Sequence, residues 1–295
     1  MTVTVQDRLH PLAPMAELTY DDGVVRVSAR TPGRAAKGGR TAHFRVHVEG
    51  RRVLIQHCLA PEQLDNDIAE MIAEELFRSG LLSGTGLFER IFVGVVRTTV
   101  AGALPAWTMF YENTLAKIRS HWGELGAAGT QLAEMAPVYR RALDLVGSGP
   151  VLDVGSCFGF FPLLLAETGA QVIATDISRG SMELLATVSL ARGTRLQTLS
   201  CDAASIPLDN SVHTVTVLHL LEHLDPTHGR AVLAEAVRLA ARRVVVAVPF
   251  EDEPDPIYGH VRTFDLPELA ALAIETGLPF TVTEHHGGWL VLDTA

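Results

Sequence analysis

The chain is 295 residues long and 47% hydrophobic, with 34 acidic against 24 basic side chains and a formal net charge of −10. That length supplies one large core and one small extra domain, and the acidic balance argues against nucleic acid or an anionic membrane as the main partner. No apolar stretch approaches a membrane helix in length, and Met1-Thr-Val-Thr-Val-Gln-Asp lacks the basic and apolar regions of a signal peptide. With three cysteines, at 58, 157 and 201, in no metal-type spacing, the expected location is the cytoplasm.

Charge is uneven along the chain. Eight basic residues fall between residues 26 and 52 (Arg26, Arg30, Arg34, Lys37, Arg40, Arg45, Arg51, Arg52), opposed only by Glu49. Residues 24–30 and 41–48 alternate with a period of two around Pro32-Gly33 and Gly38-Gly39. They are expected to form a hairpin, with a further strand over 52–57 after the Glu49-Gly50 turn. Basic residues interleaved with a core face ordinarily make a solvated surface; the functional alternative is a surface for an acidic or polyhydroxylated acceptor.

Residues 61–79 read as an amphipathic helix, with Leu64, Ile68, Met71, Ile72 and Leu76 on one side, Pro61 at its first position, Arg78 in its last turn and Gly80 beyond. Residues 88–100 read as another strand. Trp107, Phe110 and Tyr111 then cluster with Asn113, Thr114 and Lys117. At helical spacing such aromatics usually form core, while the same mixture also suits a sugar lining. Gly123, Gly126 and Gly129 break the chain, and residues 131–146 read as a helix. The expected domains are 1–128, a small α+β unit, and 129–295.

The second domain opens with Val151-Leu-Asp-Val-Gly-Ser-Cys-Phe-Gly159, followed by Val172-Ile-Ala-Thr-Asp176. Strand, tight turn, helix, strand and carboxylate in that order present a nucleoside to the strand tips. The small residues make a G-x-x-x-G run, without the third glycine of a dinucleotide site. A third apolar run ends in Asp202-Ala203, a fourth spans 212–218, and a fifth over 242–250 is nearly all apolar, as in a parallel strand buried on both faces. Residues 266–276 read as a helix, and 280–283 and 289–292 as a terminal antiparallel pair joined through His285-His-Gly-Gly. The expected fold is α/β, a Rossmann-like sheet that is parallel apart from a terminal antiparallel strand.

The acid-x-G-x-x-x-G turn, with a second acid about twenty residues on, resembles class I S-adenosylmethionine methyltransferases. The resemblance implies that cofactor and carries roles over to particular residues. Asp153, Gly155, Ser156, Cys157, Phe158 and Gly159 would meet its amino-acid end, Asp176 would accept both ribose hydroxyls beside Ile177, and Asp202 with Ala203 would lie on the adenine side. His219 would pack near the cofactor. Cys157 departs from the family's usual middle glycine, and His213 stands where many members carry an acid.

His219-Leu-Leu-Glu-His223 also matches H-x-x-E-H, the pattern of inverted zinc metallopeptidases, in which two histidines share a helix face and Glu222 would act as base. Its place directly after a buried strand, where methyltransferases carry Glu-His-Leu or similar, argues against that reading, and no metal site is assigned. The stretch 249–262 combines Glu251, Asp252, Glu253 and Asp255 with Tyr258, His260 and Arg262. Acids beside histidines take a proton from a hydroxyl or hold a divalent ion that acidifies it. For an in-line methyl transfer to oxygen, His219, His223 and His260 are the candidate bases.

A narrower resemblance follows from Phe44-Arg-Val-His-Val-Glu-Gly, Phe110-Tyr-Glu-Asn-Thr-Leu-Ala, Asp153-Val-Gly-Ser-Cys-Phe-Gly, His219-Leu-Leu-Glu-His-Leu-Asp-Pro, Val248-Pro-Phe-Glu-Asp-Glu-Pro, Gly259-His-Val-Arg-Thr-Phe-Asp and His285-His-Gly-Gly-Trp-Leu-Val-Leu-Asp. These strings resemble the actinobacterial mycofactocin oligosaccharide methyltransferase family. That resemblance implies O-methylation of a glucose in the glycan of a peptide-derived redox cofactor, hence a glycan or small-molecule acceptor. It carries over no catalytic residue position by position. Two other classes stay open: an RNA methyltransferase with the basic hairpin as its arm, and a non-catalytic S-adenosylmethionine-binding protein.

Overall fold

Period-two patterning becomes a five-stranded sheet in the computed structural model, which describes residues 11–13, 18–29, 38–84, 86–123, 129–209 and 211–295. The chain divides into two compact units, Met1–Ala133 and Glu134–Ala295. In the first, β1 (Thr19–Asp21), β2 (Val25–Ala29), β3 (Gly39–Arg40), β4 (Phe44–Glu49) and β5 (Arg52–His57) lie in the order β1-β2-β5-β4-β3. Val25, Val27, Phe44, Val46, Val53 and Ile55 point into the core.

The expected hairpin between 24–30 and 41–48 does not form. β5 inserts between them, parallel to β2 and antiparallel to β4. Alternation fixes which face of a strand is buried but not its neighbour, and β5, which buries Val53, Ile55 and His57, takes the centre. Arg30, Arg34 and Lys37 lie outside the described residues. Of the remaining basic residues, Arg26 and Arg52 both pair with Asp21.

The expected helix over 61–79 is broken into a 3₁₀ turn (Pro61–Gln63), α1 (Ile68–Ile72) and a π-helical stretch (Ala73–Arg78), although Leu64, Ile68, Ile72 and Leu76 are buried as its stripe required. Residues 88–100 are not a strand. They form α2 (Leu87–Thr99), whose β-branched residues are buried on nearly every side. Gly94 permits this packing: a Cβ there would stand 2.4 Å from Val27 Cγ2 and 2.9 Å from Tyr20 Cδ1. On α3 (Ala103–Ser120), Trp107, Phe110 and Tyr111 are fully buried, so these aromatics are core rather than a sugar platform. The Trp107 indole N–H donates to Pro11 O at 2.9 Å, and Lys117 is held by Asp65 and Asp67.

After α4 (Gln131–Val146) come β6 (Val151–Val154), α5 (Phe160–Glu167), β7 (Val172–Asp176), α6 (Arg179–Ala191), β8 (Gln197–Ser200) and β9 (Val212–Leu218). The unit continues with α7 (Pro226–Leu239), β10 (Ala240–Val248), α8 (Leu266–Thr276), β11 (Phe280–Glu284) and β12 (Gly288–Asp293). The sheet order is β11-β12-β10-β9-β6-β7-β8, with β12 antiparallel to both of its neighbours and the other pairings parallel. This is the expected Rossmann-like α/β fold. From β6 the chain first steps outward to β7 and β8, then crosses back to β9 and β10, which places a topological switch point between β6 and β9. Asp225 caps α7 and Asp265 forms a capping box with Glu268 on α8. Among the described residues, no single helix is long and apolar enough to cross a membrane.

Candidate active site

The chain leaving β6 must reverse into α5 within five residues, and left-handed backbone makes that possible. Gly155 and Gly159 have φ of +74° and +75°. A Cβ at Gly155 would lie 2.8 Å from both Leu220 methyls, and one at Gly159 would lie 2.3 Å from a Leu185 methyl. Cys157, with φ of +51°, is also left-handed, which costs a non-glycine residue about 1–2 kcal/mol. Glycine is the natural occupant of such a position. Cys157 is solvent-exposed, yet desolvation by the surrounding groups pushes its thiol up to about 12.

Asp153 braces this turn from behind. Only 3% exposed, its carboxylate accepts from Ser156 Oγ at 2.7 Å and from Thr216 Oγ1 at 2.6 Å. Burial pushes it up to about 6. Asp176, at the end of β7, accepts the Cys157 N–H on one oxygen and the Ser178 N–H on the other, each at 2.8 Å. Burial raises its pKa as well. An ionised carboxylate offers about four lone-pair sites, and with the Ile177 N–H also acting on it, part of that capacity remains for a ligand. Ile177 beside it is 64% exposed, an apolar surface at the strand tip.

Phe158 stacks on Phe160 with ring centroids 5.9 Å apart. Asp202 is exposed at the rim, accepting the Ala204 N–H at 2.9 Å and facing His228 Nε2 at 3.1 Å; these contacts lower its pKa. The half-buried Ala203 packs against the core. This pair is linked toward the turn through its neighbour Cys201, whose N–H donates to Asp176 O at 3.0 Å.

A second group collects past β9 and β10. His219 extends the β9–β10 ladder, its N–H on Ala247 O at 2.9 Å, and then turns the chain with a φ of +51°. Leu221–His223 is a 3₁₀ turn. The helix face that the H-x-x-E-H peptidase pattern requires is therefore not formed, because the left-handed residue and the short turn break the four-residue spacing. His219 Nδ1 stands 3.6 Å from Glu222 Oε1, too far for a hydrogen bond. Burial, with His260 and His223 adding to it, pushes the His219 imidazole down to about 4, so it is neutral.

His260 Nδ1 lies 2.8 and 3.0 Å from the two oxygens of Glu251, and His223 Nδ1 lies 3.3 Å from Gly259 O. The two imidazoles meet edge to face, with centroids 4.8 Å apart. Glu222 is 1% exposed, neither of its carboxylate oxygens has a hydrogen-bond partner among the described residues, and burial pushes it up to about 8. Its backbone carbonyl accepts the Val261 N–H at 2.8 Å, tying the two segments together. His223 contributes a small lowering influence on the Asp176 carboxyl, against the larger effect of burial. Arg262 lies over the Phe264 ring at 4.1 Å.

The expected residues thus fall into two sets: Asp153, Ser156, Cys157 and Asp176 joined by direct hydrogen bonds, and His219, Glu222, His223 and His260 in a second cluster. Sequence reasoning missed Thr216, the second brace of Asp153. Its signal was a hydroxyl inside an apolar strand, which needs a partner when buried.

Residues 151–242 match a family model described as a methyltransferase domain. The match includes the turn, Asp176, Asp202 and the 219–223 segment, and stops short of Glu251 and His260. No curated protein matches the chain. Among solved structures, the PH0226 protein from Pyrococcus horikoshii OT3 is similar at 17% identity over 55% of this chain and 89% of that one, with a TM-score of 0.46. Magnesium protoporphyrin IX methyltransferase (ChlM) from Synechocystis PCC 6803, with bound SAH, is similar at 17% identity over 60% and 92%, with a TM-score of 0.43. The glycopeptide N-methyltransferase MtfA is similar at 15% identity over 53% and 94%, with a TM-score of 0.47.

Proposed function

We propose that this S-adenosylmethionine-dependent methyltransferase transfers its methyl group to a hydroxyl of a carbohydrate. The residues at the turn suit that cofactor: Asp176 offers carboxylate oxygens at the strand tip for a diol, Ile177 offers an apolar face, and three left-handed residues open the backbone. When bound, S-adenosylmethionine supplies a methyl group activated by a sulfonium. The chain's own residues align the acceptor, exclude water and take up a proton.

The observation that carries the hydroxyl reading is the His260–Glu251 pair beside His223 and Glu222. A sugar hydroxyl holds its proton far above neutral pH and needs a base, whereas an amine or thiol needs less help. With Nδ1–H donated to Glu251, His260 keeps Nε2 to receive that proton, and the Glu251 carboxylate stabilises the imidazolium. His219 is a poor base at about 4 and is assigned to packing near the cofactor at the end of β9. His223, fixed by Gly259 O, is assigned to orienting the acceptor. The adjoining Asp252, Glu253, Asp255 and Tyr258 supply polar groups for further hydroxyls.

The sequence strings quoted above make the glucose of the mycofactocin oligosaccharide the first acceptor to test. Enzyme, S-adenosylmethionine and a bacterial glycan extract should yield a glycan heavier by one methyl in mass spectrometry. His260→Ala should lower kcat by about 10²–10⁴ while cofactor affinity holds. Absence of cofactor binding in calorimetry overturns the reading, and methylation of RNA with steep salt dependence redirects it.

A further inference from the structure

We infer that Glu222, His223 and His260 bind a divalent transition-metal ion of the zinc type at the acceptor edge of the site. One ligand atom from each of the three lies within 4.8 Å of the others. Ligand atoms on a metal with bonds of about 2.1 Å sit no more than about 4.2 Å apart. In the tetrahedral arrangement zinc prefers, ligand atoms sit about 3.4 Å apart, so side-chain rotations that move these atoms by about an ångström close the set.

Glu222 is the reason to expect an ion there. A carboxylate that is 1% exposed ordinarily collects hydrogen bonds on both oxygens, and this one has none among the described residues. His219 does not serve, at 3.6 Å. A cation is the partner that compensates a buried carboxylate flanked by two imidazoles.

The histidines are arranged as ligands. A ligating imidazole typically gives its other nitrogen to a carboxylate or a backbone carbonyl, which fixes the tautomer and the ring plane. Here His260 gives Nδ1 to Glu251 and His223 gives Nδ1 to Gly259 O, leaving both Nε2 atoms for coordination. Two imidazoles and one carboxylate favour zinc or a neighbouring first-row ion over magnesium or calcium, which prefer all-oxygen sets. With three protein ligands, a coordination position stays open for an oxygen.

The ion's role rests on the hydroxyl reading above, but its binding does not. An acceptor hydroxyl on the open position would lose its proton to solvent more readily. Its oxygen then forms the bond to the methyl carbon as the carbon–sulfur bond breaks, with that electron pair staying on sulfur. In this state His260 serves as a ligand rather than as the base.

The test is titration of the metal-stripped full-length chain with Zn²⁺ alone by calorimetry, and with Co²⁺ by visible absorption, without cofactor or acceptor. One equivalent should bind saturably. Glu222→Gln, which conserves shape, and His223→Ala should each weaken binding at least about tenfold, and Glu251→Gln by about 10–100-fold, with circular dichroism confirming the fold. Mg²⁺ should not compete. Failure of the folded chain to bind Zn²⁺, or an unchanged affinity in Glu222→Gln, overturns the inference and leaves the hydroxyl reading standing. Binding without any methyl transfer would do the reverse.

Discussion

Replacing Asp153 with asparagine should flatten the pH dependence of stability. The carboxyl's ordinary pKa of 3.8 rises to about 6 in the folded chain because burial outweighs its hydrogen bonds to Thr216 and Ser156. Below both values the group is protonated whether folded or not and contributes nothing. As pH rises from about 4 to 6, the unfolded chain releases its proton first, so stability falls, and above 6 the full penalty applies. Roughly two units correspond to about 3 kcal/mol, of which about 2 should be gained between pH 4 and 8. Asparagine cannot ionise, yet it still offers an oxygen to one hydroxyl and an amide to the other. Urea titrations of both proteins across that range should therefore diverge, with the variant gaining at the alkaline end. Other buried acids titrate in both proteins and cancel in the difference. Curves that stay parallel within about 0.5 kcal/mol, well inside the expected shift, would falsify the view that Asp153 is held against its preference.

Asp176→Asn should weaken S-adenosylmethionine binding about 10–100-fold in calorimetry, the cost of losing a charged acceptor; an unchanged affinity removes Asp176 from the ribose role. Gly159→Ala should cost about 2–4 kcal/mol in urea unfolding, from left-handed strain plus the collision with the buried Leu185. A loss of only about 1–2 kcal/mol would mean that Leu185 yields, and one well under about 1 kcal/mol would contradict the strain as well. Although Cys58 and Cys157 are both exposed, the Cys157 thiol, pushed up to about 12, should resist iodoacetamide at pH 8 while Cys58 reacts, as read by peptide mass spectrometry. Equal rates would contradict that protection.

The second unit was legible because its signals are local. A glycine at positive φ, an acid at a strand tip and a continuous apolar run each constrain only a few neighbouring residues, and together they fixed β6, β7, β9 and β10. The first unit was less so. Ile91-Phe-Val-Gly-Val-Val has strand composition, but an all-apolar run carries no period, and its burial as α2 depends on Val27 and Tyr20, far away in the chain. The insertion of β5 between β2 and β4 is similarly a matter of which strand buries most, not of its own alternation. In the site, the histidines could be named from sequence while their geometry could not. The left-handed turn at His219 replaces the helix that H-x-x-E-H suggests, and the isolation of Glu222 arises from packing around it.

On the proposed assignment, the strand order separates two jobs that the reaction needs. Residues 153–177, on β6 and β7, face one side of the switch point, while 219–223 and 251–260 extend from β9 and β10 on the other. The family model ends at residue 242, before the Glu251–His260 segment begins. On that assignment, acceptor choice is therefore open to change by exchanging the segment after β10 while the turn and Asp176 are kept. Such a chimera would inherit its cofactor from β6 and β7 and its substrate from the graft.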